Sequence, residues 1–186
     1  MSPESFEAPP KSIVLVGLMG AGKSSVGRRV AGRLGLPFYD ADNEIEAAAG
    51  CSITDLFTRY GEPAFRAGER RVMQRLLAGP RAVIATGGGA FIDPETRALI
   101  ASQAISVWLR ADLDLLTKRV TGRDHRPLLK GGDPRAILSG LMEKRNPIYA
   151  EADLAVDSLD QPTDITVTAV LRSLAAFVRS AEKQEA

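Results

Sequence analysis

A chain of 186 residues, 45% apolar and 25% charged, has the makeup of one soluble globular domain with a single core. A formal net charge of +1 gives no electrostatic basis for binding nucleic acid or a membrane surface, and no apolar run approaches the ~20 residues of a membrane span. One cysteine, Cys51, and one histidine, His125, exclude an intrachain disulfide and argue against a structural zinc site, in keeping with a reducing cytoplasm.

Met1 to Pro10 carries three prolines and two glutamates without the apolar stretch of a signal peptide, so residues 1–11 read as a disordered lead-in. One domain is expected over 12–180, followed by a short tail at 181–186. Five apolar runs read as strands: Ser12–Gly17, Leu36–Tyr39, Ala82–Thr86, Ile105–Leu109 and Leu154–Asp157. Four are β-branched and nearly continuous, as strands buried on both faces of a parallel sheet should be. Helical patterns lie between them. Val26, Val30 and Leu34 mark the first, and Ile45 belongs to a second. Pro63 opens a third, with Phe65, Val72, Met73, Leu76 and Leu77 as its apolar stripe and Gly79-Pro80 as its stop. Asp93-Pro94 and Asp133-Pro134 each pair an N-cap with proline at the first helical position. The last helix is expected from about Pro162 to Arg179, burying Val170, Leu174, Phe177 and Val178. Alternation of strands and helices predicts an α/β fold, a three-layer α/β/α sandwich on a five-stranded parallel sheet. The glycine- and charge-rich stretch at 121–133 reads as a mobile surface segment suited to a lid.

Gly17-Leu18-Met19-Gly20-Ala21-Gly22-Lys23-Ser24 fits G-x-x-x-x-G-K-[ST], with a strand before it and a helix after it. Glycines let successive backbone N–H groups converge on phosphate oxygens, and the following helix adds the positive end of its dipole. Lys23 can reach the β- and γ-phosphates, and the Ser24 hydroxyl can ligate Mg²⁺. A nucleoside triphosphate is the expected ligand. In a parallel sheet the other partners belong at the carboxyl ends of the strands. Asp40 and Asp42 follow one such end. Read as an extended D-x-D, they aim their carboxylates at different partners, the metal's hydration shell and the acceptor; read as a helix N-cap, they precede the Ile45 helix. Gly87-Gly88-Gly89 follows another strand end and implies close backbone approach to a ligand. Arg66 and Arg145 are fork-shaped donors suited to a carboxylate or phosphate, although either could be a solvated surface residue. Arg126 lies where a phosphate-clamping lid would be, beside His125.

Taken together, Gly17–Ser24, Asp40-x-Asp42, Phe65-Arg66, Thr86-Gly87-Gly88-Gly89, Arg126-Pro127-Leu128-Leu129 and Arg145-x-Pro147-x-Tyr149 resemble the bacterial shikimate kinases, in order and spacing, from about Ser12 to Pro162. The resemblance implies an NMP-kinase-like P-loop fold with a lid and a substrate-binding helical region about residues 42–70. It implies transfer of the ATP γ-phosphate to the 3-hydroxyl of shikimate, in the supply of chorismate and aromatic amino acids, by a cytoplasmic monomer. On this resemblance Asp42 holds the acceptor hydroxyl and accepts its proton, Arg66 and Arg145 grip the shikimate carboxylate, and Gly88 supplies a backbone contact. Ser24 is the direct Mg²⁺ ligand and Asp40 a ligand through water. Gly20, Ala21, Gly22, Lys23, Ser24 and Ser25 hold the ATP phosphates together with Arg126; Arg119 flanks the adenine, with Gln161 on the adenine side. A related P-loop kinase of gluconate or a nucleoside monophosphate is the alternative. A GTPase-type switch is excluded by the absence of N-K-x-D and D-x-x-G.

Overall fold

Continuous β-branched runs have nowhere to go in water except into a sheet covered on both faces, and this dictates the centre of the molecule. A computed structural model of the chain describes residues 6–121 and 132–185. Strands β1 (Ser12–Val16), β2 (Phe38–Asp40), β3 (Val83–Ala85), β4 (Ala104–Arg110) and β5 (Leu154–Asp157) form one parallel sheet in the order β2-β3-β1-β4-β5. All five expected strands are present, with ends shifted by one or two residues. β1 lies in the middle and is buried along its whole length. Because β1 sits between β3 and β4, the chain changes direction across the sheet beside it, which is where a doubly wound sheet opens a ligand crevice.

Among the described residues, seven α-helices accompany the sheet: α1 (Lys23–Leu34), α2 (Ala41–Ala49), α3 (Ile53–Ala78), α4 (Pro94–Gln103), α5 (Leu113–Val120), α6 (Pro134–Tyr149) and α7 (Thr163–Glu185). The result is the expected three-layer α/β/α sandwich. Asp93 and Asp133 cap α4 and α6 through their side chains, with proline next in line, as their sequence signals require. α1 packs on α7 and against β3, while α4 packs on β4 and on α3. Gly27 permits the close approach of α1 to the sheet: a Cβ there would lie 2.8 Å from the Phe38 ring and 3.0 Å from Leu15.

Three differences from the sequence reading have local causes. The helix expected to open at Pro63 begins ten residues earlier, at Ile53, capped by Ser52; Gly61, at φ 78°, breaks it, and Pro63 opens the second half. Residues 6–11 are not a free lead-in. Pro9 is buried, its carbonyl accepts from Arg81 Nη1 at 2.9 Å, and Phe6 packs on the core. The last helix runs past Arg179 to Glu185, because Ala181 to Glu185 are good helix formers with no glycine or proline to stop them. His125, Arg126 and most of the expected lid, residues 122–131, lie outside the described residues.

Met73 anchors the second half of α3 and is fully buried in the core. Met73→Ala should lower unfolding stability by about 2–5 kcal/mol, the cost of a large-to-small change that leaves a cavity, as measured by urea denaturation.

Candidate active site

β1 ends in a loop whose glycines do what no other residue could. Gly17, Gly20 and Gly22 adopt φ of 134°, 83° and 95°. A Cβ on Gly17 would also lie 2.7 Å from the Leu109 carbonyl oxygen. α1 then starts at Lys23 without a side-chain cap and without an acid in its first turn. Its first turn therefore offers backbone N–H groups at the positive end of the helix dipole, a setting that suits an anion. Lys23 is buried, and its ammonium donates to the carbonyls of Gly17 at 2.7 Å and Leu18 at 2.9 Å. Ser25 and Ser24 follow in the first turn, and Ala21 is buried beneath the loop.

Asp40 and Asp42 are not alternating residues of one extended segment. β2 ends at Asp40 and α2 begins at Ala41, so the N-cap reading holds for Asp40, whose Oδ1 accepts from the amides of Asp42 at 3.1 Å and Asn43 at 3.4 Å. Aspartate is a strong N-cap, and capping starts the helix at once. The other oxygen of Asp40 accepts from the Ser24 hydroxyl at 2.6 Å, which ties β2 to the phosphate loop. Asp42 sits in the first turn of α2 and faces Gly87.

The triple glycine explains itself in the structure. Each of its residues lies under a different charged side chain. A Cβ would lie 2.7 Å from Asp42 Oδ1 at Gly87, 3.5 Å from Arg145 Nη1 at Gly88, and 2.6 Å from Arg66 Nη1 at Gly89. The strip is bare so that one carboxylate and two guanidinium groups can converge across it.

Arg66 is held by two acids of its own helix. Nη1 pairs with Glu69 at 2.6 Å, and Nη2 lies 3.4 Å from Glu62. Desolvation alone would lower the Arg66 pKa, but Glu69 and then Glu62 outweigh it and push it up. Glu69 is 1% exposed. With Lys23, it makes up the buried charged side chains among the described residues. Burial pushes its carboxyl above the ordinary range; Arg66 pulls it back part of the way, while Asp42 and Asp93 add to the rise. Glu69 was not apparent from sequence, although its i+3 spacing from Arg66 places both on one helix face. Tyr149, also buried, donates its hydroxyl to the Gly88 carbonyl; burial raises its pKa to about 12, against the pull of Arg145 and Arg66.

Arg119, on α5, bridges the phosphate loop to the segment after β5. It donates to Gly20 O at 3.2 Å, Ala21 O at 3.4 Å, Ser158 Oγ at 2.9 Å and Leu159 O at 2.9 Å. A cleft of about 630 Å³ is lined by Gly20, Gly22, Lys23, Ser24, Ser25, Asp40, Asp42, Gly88, Arg119 and Gln161, among others. Arg66 and Arg145 do not line it; they reach its edge over Gly88 and Gly89. Ser158 and Thr86 also line the cleft; Ser158 carried no sequence signal, and Thr86 entered only as the residue before the triple glycine.

A phosphate loop on the central strand, with a charged cluster facing it at the end of the neighbouring strand, defines a P-loop kinase of the NMP-kinase-like fold. The sequence matches the shikimate kinase family over residues 19–175. Shikimate kinase of Paramagnetospirillum magneticum is 62% identical over 90% of this chain and 86% of its own, and that of Caulobacter vibrioides is 60% identical over 88% and 82%. The structure resembles shikimate kinase from Acinetobacter baumannii in complex with shikimate, with a TM-score of 0.84, 35% identity, and coverage of 87% of this chain and 91% of that one. The chain belongs to the shikimate kinase family.

An acid whose folded pKa is raised binds more protons in the folded state. Its stabilising effect is full below the unfolded pKa and is lost as pH rises through the folded one. Glu69 should therefore make the protein lose stability as pH rises from about its reference value of 4.5. Glu69→Gln should flatten that part of the curve, measured by urea denaturation at stepped pH.

Proposed function

We propose that the cleft transfers the γ-phosphoryl group of ATP to the 3-hydroxyl of shikimate, giving shikimate 3-phosphate and ADP for chorismate and aromatic amino-acid synthesis. Membership of the family makes the chain an ATP-dependent kinase that phosphorylates shikimate. The observation that carries the residue assignment is the convergence of Asp42, Arg145 and Arg66 on one bare glycine strip. Two guanidinium groups beside one carboxylate suit a small acceptor with a carboxylate at one end and hydroxyls at the other. Gluconate also carries a carboxylate and hydroxyls, so a comparison of acceptors in a coupled ADP-release assay, with nucleoside monophosphates included, tests the choice.

In this reading Arg66 and Arg145 hold the shikimate carboxylate and Gly88 adds a backbone contact, which fixes the ring. Asp42 orients the attacking hydroxyl and accepts its proton. The amides of Gly20, Ala21, Gly22, Lys23, Ser24 and Ser25 cradle the phosphates, and Lys23 exchanges its loop carbonyls for phosphate oxygens. Arg119 and Gln161 flank the adenine. Arg126, on the strength of its motif, adds positive charge to the phosphates.

Ser24 and Asp40 fit a Mg²⁺ ion as its hydroxyl ligand and its ligand through water, since this ion takes one or two protein oxygens and keeps phosphates and water for the rest. Among the described residues no group of three His, Cys, Asp or Glu could hold a metal, which accords with a cation held largely by the nucleotide. When bound, Mg²⁺ neutralises charge on the β- and γ-phosphates. No helix among the described residues is long and apolar enough to cross a membrane. A cytoplasmic monomer, free of nucleic acid and membrane, completes the proposal.

Arg66→Ala or Arg145→Ala should raise the shikimate KM by an amount equivalent to roughly 2–4 kcal/mol while leaving the ATP KM nearly unchanged. Steady-state kinetics in both substrates read this directly, and an equal loss of ATP binding would move these residues to the nucleotide side. The two aspartates should also separate. Asp42→Asn should abolish turnover with nucleotide still bound, whereas Asp40→Asn should raise the Mg²⁺ concentration needed for half-maximal rate. Identical Mg²⁺ profiles for the parent and both variants would refute that division.

A further inference from the structure

Three consecutive glycines give a loop the greatest freedom a backbone can have, so something must hold this one in a single conformation. The carbonyls show what does. Gly87 O accepts from Ala90 N at 3.2 Å, and Gly89 O accepts from Ile92 N at 3.1 Å; both bonds belong to the turn that follows. Gly88 O lies between them and is held by a side chain, the hydroxyl of Tyr149 at the end of α6. A peptide unit is planar and trans, so fixing the Gly88 carbonyl also fixes the opposite direction of the Gly89 N–H.

Arg145, four residues earlier on α6, lies over the same glycine, with Nη1 3.5 Å from where a Gly88 Cβ would stand, and its charge acts on the Tyr149 hydroxyl. The Tyr149 ring is fully buried against Trp108 of β4, with centroids 6.0 Å apart, so the hydroxyl has little freedom of its own. A buried tyrosine needs some partner for its O–H, and any nearby carbonyl would satisfy that need. Here the partner is the glycine strip assigned to the acceptor, at the residue over which one of the two arginines lies.

We propose that Tyr149 is a positioning residue for the acceptor: one buried hydroxyl aligns the Gly88–Gly89 peptide and the Arg145 guanidinium relative to each other. The proposal rests on the assignment of Arg145 and Gly88 to the shikimate side. Tyr149 touches neither substrate in this scheme; it acts through the two groups that do. A hydroxyl that served packing alone would affect both substrates alike, or neither.

Tyr149→Phe keeps the ring and its contact with Trp108 but removes the link. It should raise the shikimate KM by about fivefold to tenfold, the scale of one lost buried hydrogen bond, and leave the ATP KM within about twofold of the parent. In an Arg145→Ala background the same change should have much less effect on the shikimate KM, because the two groups act as a unit. Replacing Tyr149 with 4-aminophenylalanine, which keeps a donor at the same place, should restore the shikimate KM to within about threefold, and it carries the test should the phenylalanine variant fold poorly. The proposal is overturned by an unchanged shikimate KM in Tyr149→Phe, by an equal rise in both KM values, by full additivity with Arg145→Ala, or by no rescue from the amino analogue. Failure of the underlying assignment looks different: Arg145→Ala alone would then leave the shikimate KM unmoved.

Discussion

Three charged side chains from three helices have to meet over one short stretch of backbone, and the rest of the site is arranged around that requirement. Asp42 arrives from α2, Arg66 from α3 and Arg145 from α6. Any Cβ on Gly87 or Gly89 would occupy space already taken by Asp42 or Arg66. The cost is conformational entropy, since glycine loses more freedom on folding than any other residue. The structure offsets it by rooting the strip at the end of β3, next to the central strand, and by giving each carbonyl of the strip a donor.

Burying charge is the second cost, and among the described residues it falls on two. Glu69 leaves water entirely, which is tolerable only because Arg66 lies 2.6 Å away. The ion pair limits the positions Arg66 can take and holds it over Gly89. Lys23 meets its own desolvation by donating to two loop carbonyls, which also draws Gly17 and Leu18 round its ammonium. Carbonyl dipoles are weaker partners than phosphate oxygens for a full positive charge, so a nucleotide has a favourable exchange to offer there. Each buried charge thus keeps one half of the cleft in shape before any ligand enters.

Features encoded within a few residues could be read from sequence, and those that depend on remote packing could not. The phosphate loop, the five strands and the Asp-Pro helix starts are short-range signals, and each appears where its residues predict it. Asp40 and Asp42 gave a mixed result: the strand end was legible, but the immediate start of α2 turned Asp40 into a cap as well as a partner of Ser24. α5 escaped notice because eight residues give too few turns for a clear period, although Asp112 caps it through its side chain. Arg119 shows the limit most plainly. Its partners at residues 20 and 21 are about a hundred positions earlier in the chain, and nothing local announces them. Tyr149 appeared only as a letter in a motif; its role depends on a carbonyl 61 residues away.

What sets the distance between the phosphate loop and the glycine strip is the sheet itself. β1 carries the phosphate loop and β3 carries the glycine strip, and the two are direct neighbours in parallel register, with Leu15 opposite Ala85. Just beyond that pair, Thr86 donates both its amide, at 3.2 Å, and its hydroxyl, at 2.9 Å, to the Leu15 carbonyl. The strap lies immediately before the glycines, so the two loops leave the sheet from one fixed point. Phosphoryl transfer is governed more by alignment than by covalent participation of the protein, and small errors in alignment cost rate steeply. Helices α2, α3 and α6 carry the charges that meet over the strip. The span between the phosphate loop and the glycine strip, by contrast, is built into adjacent strands that are buried along their whole length.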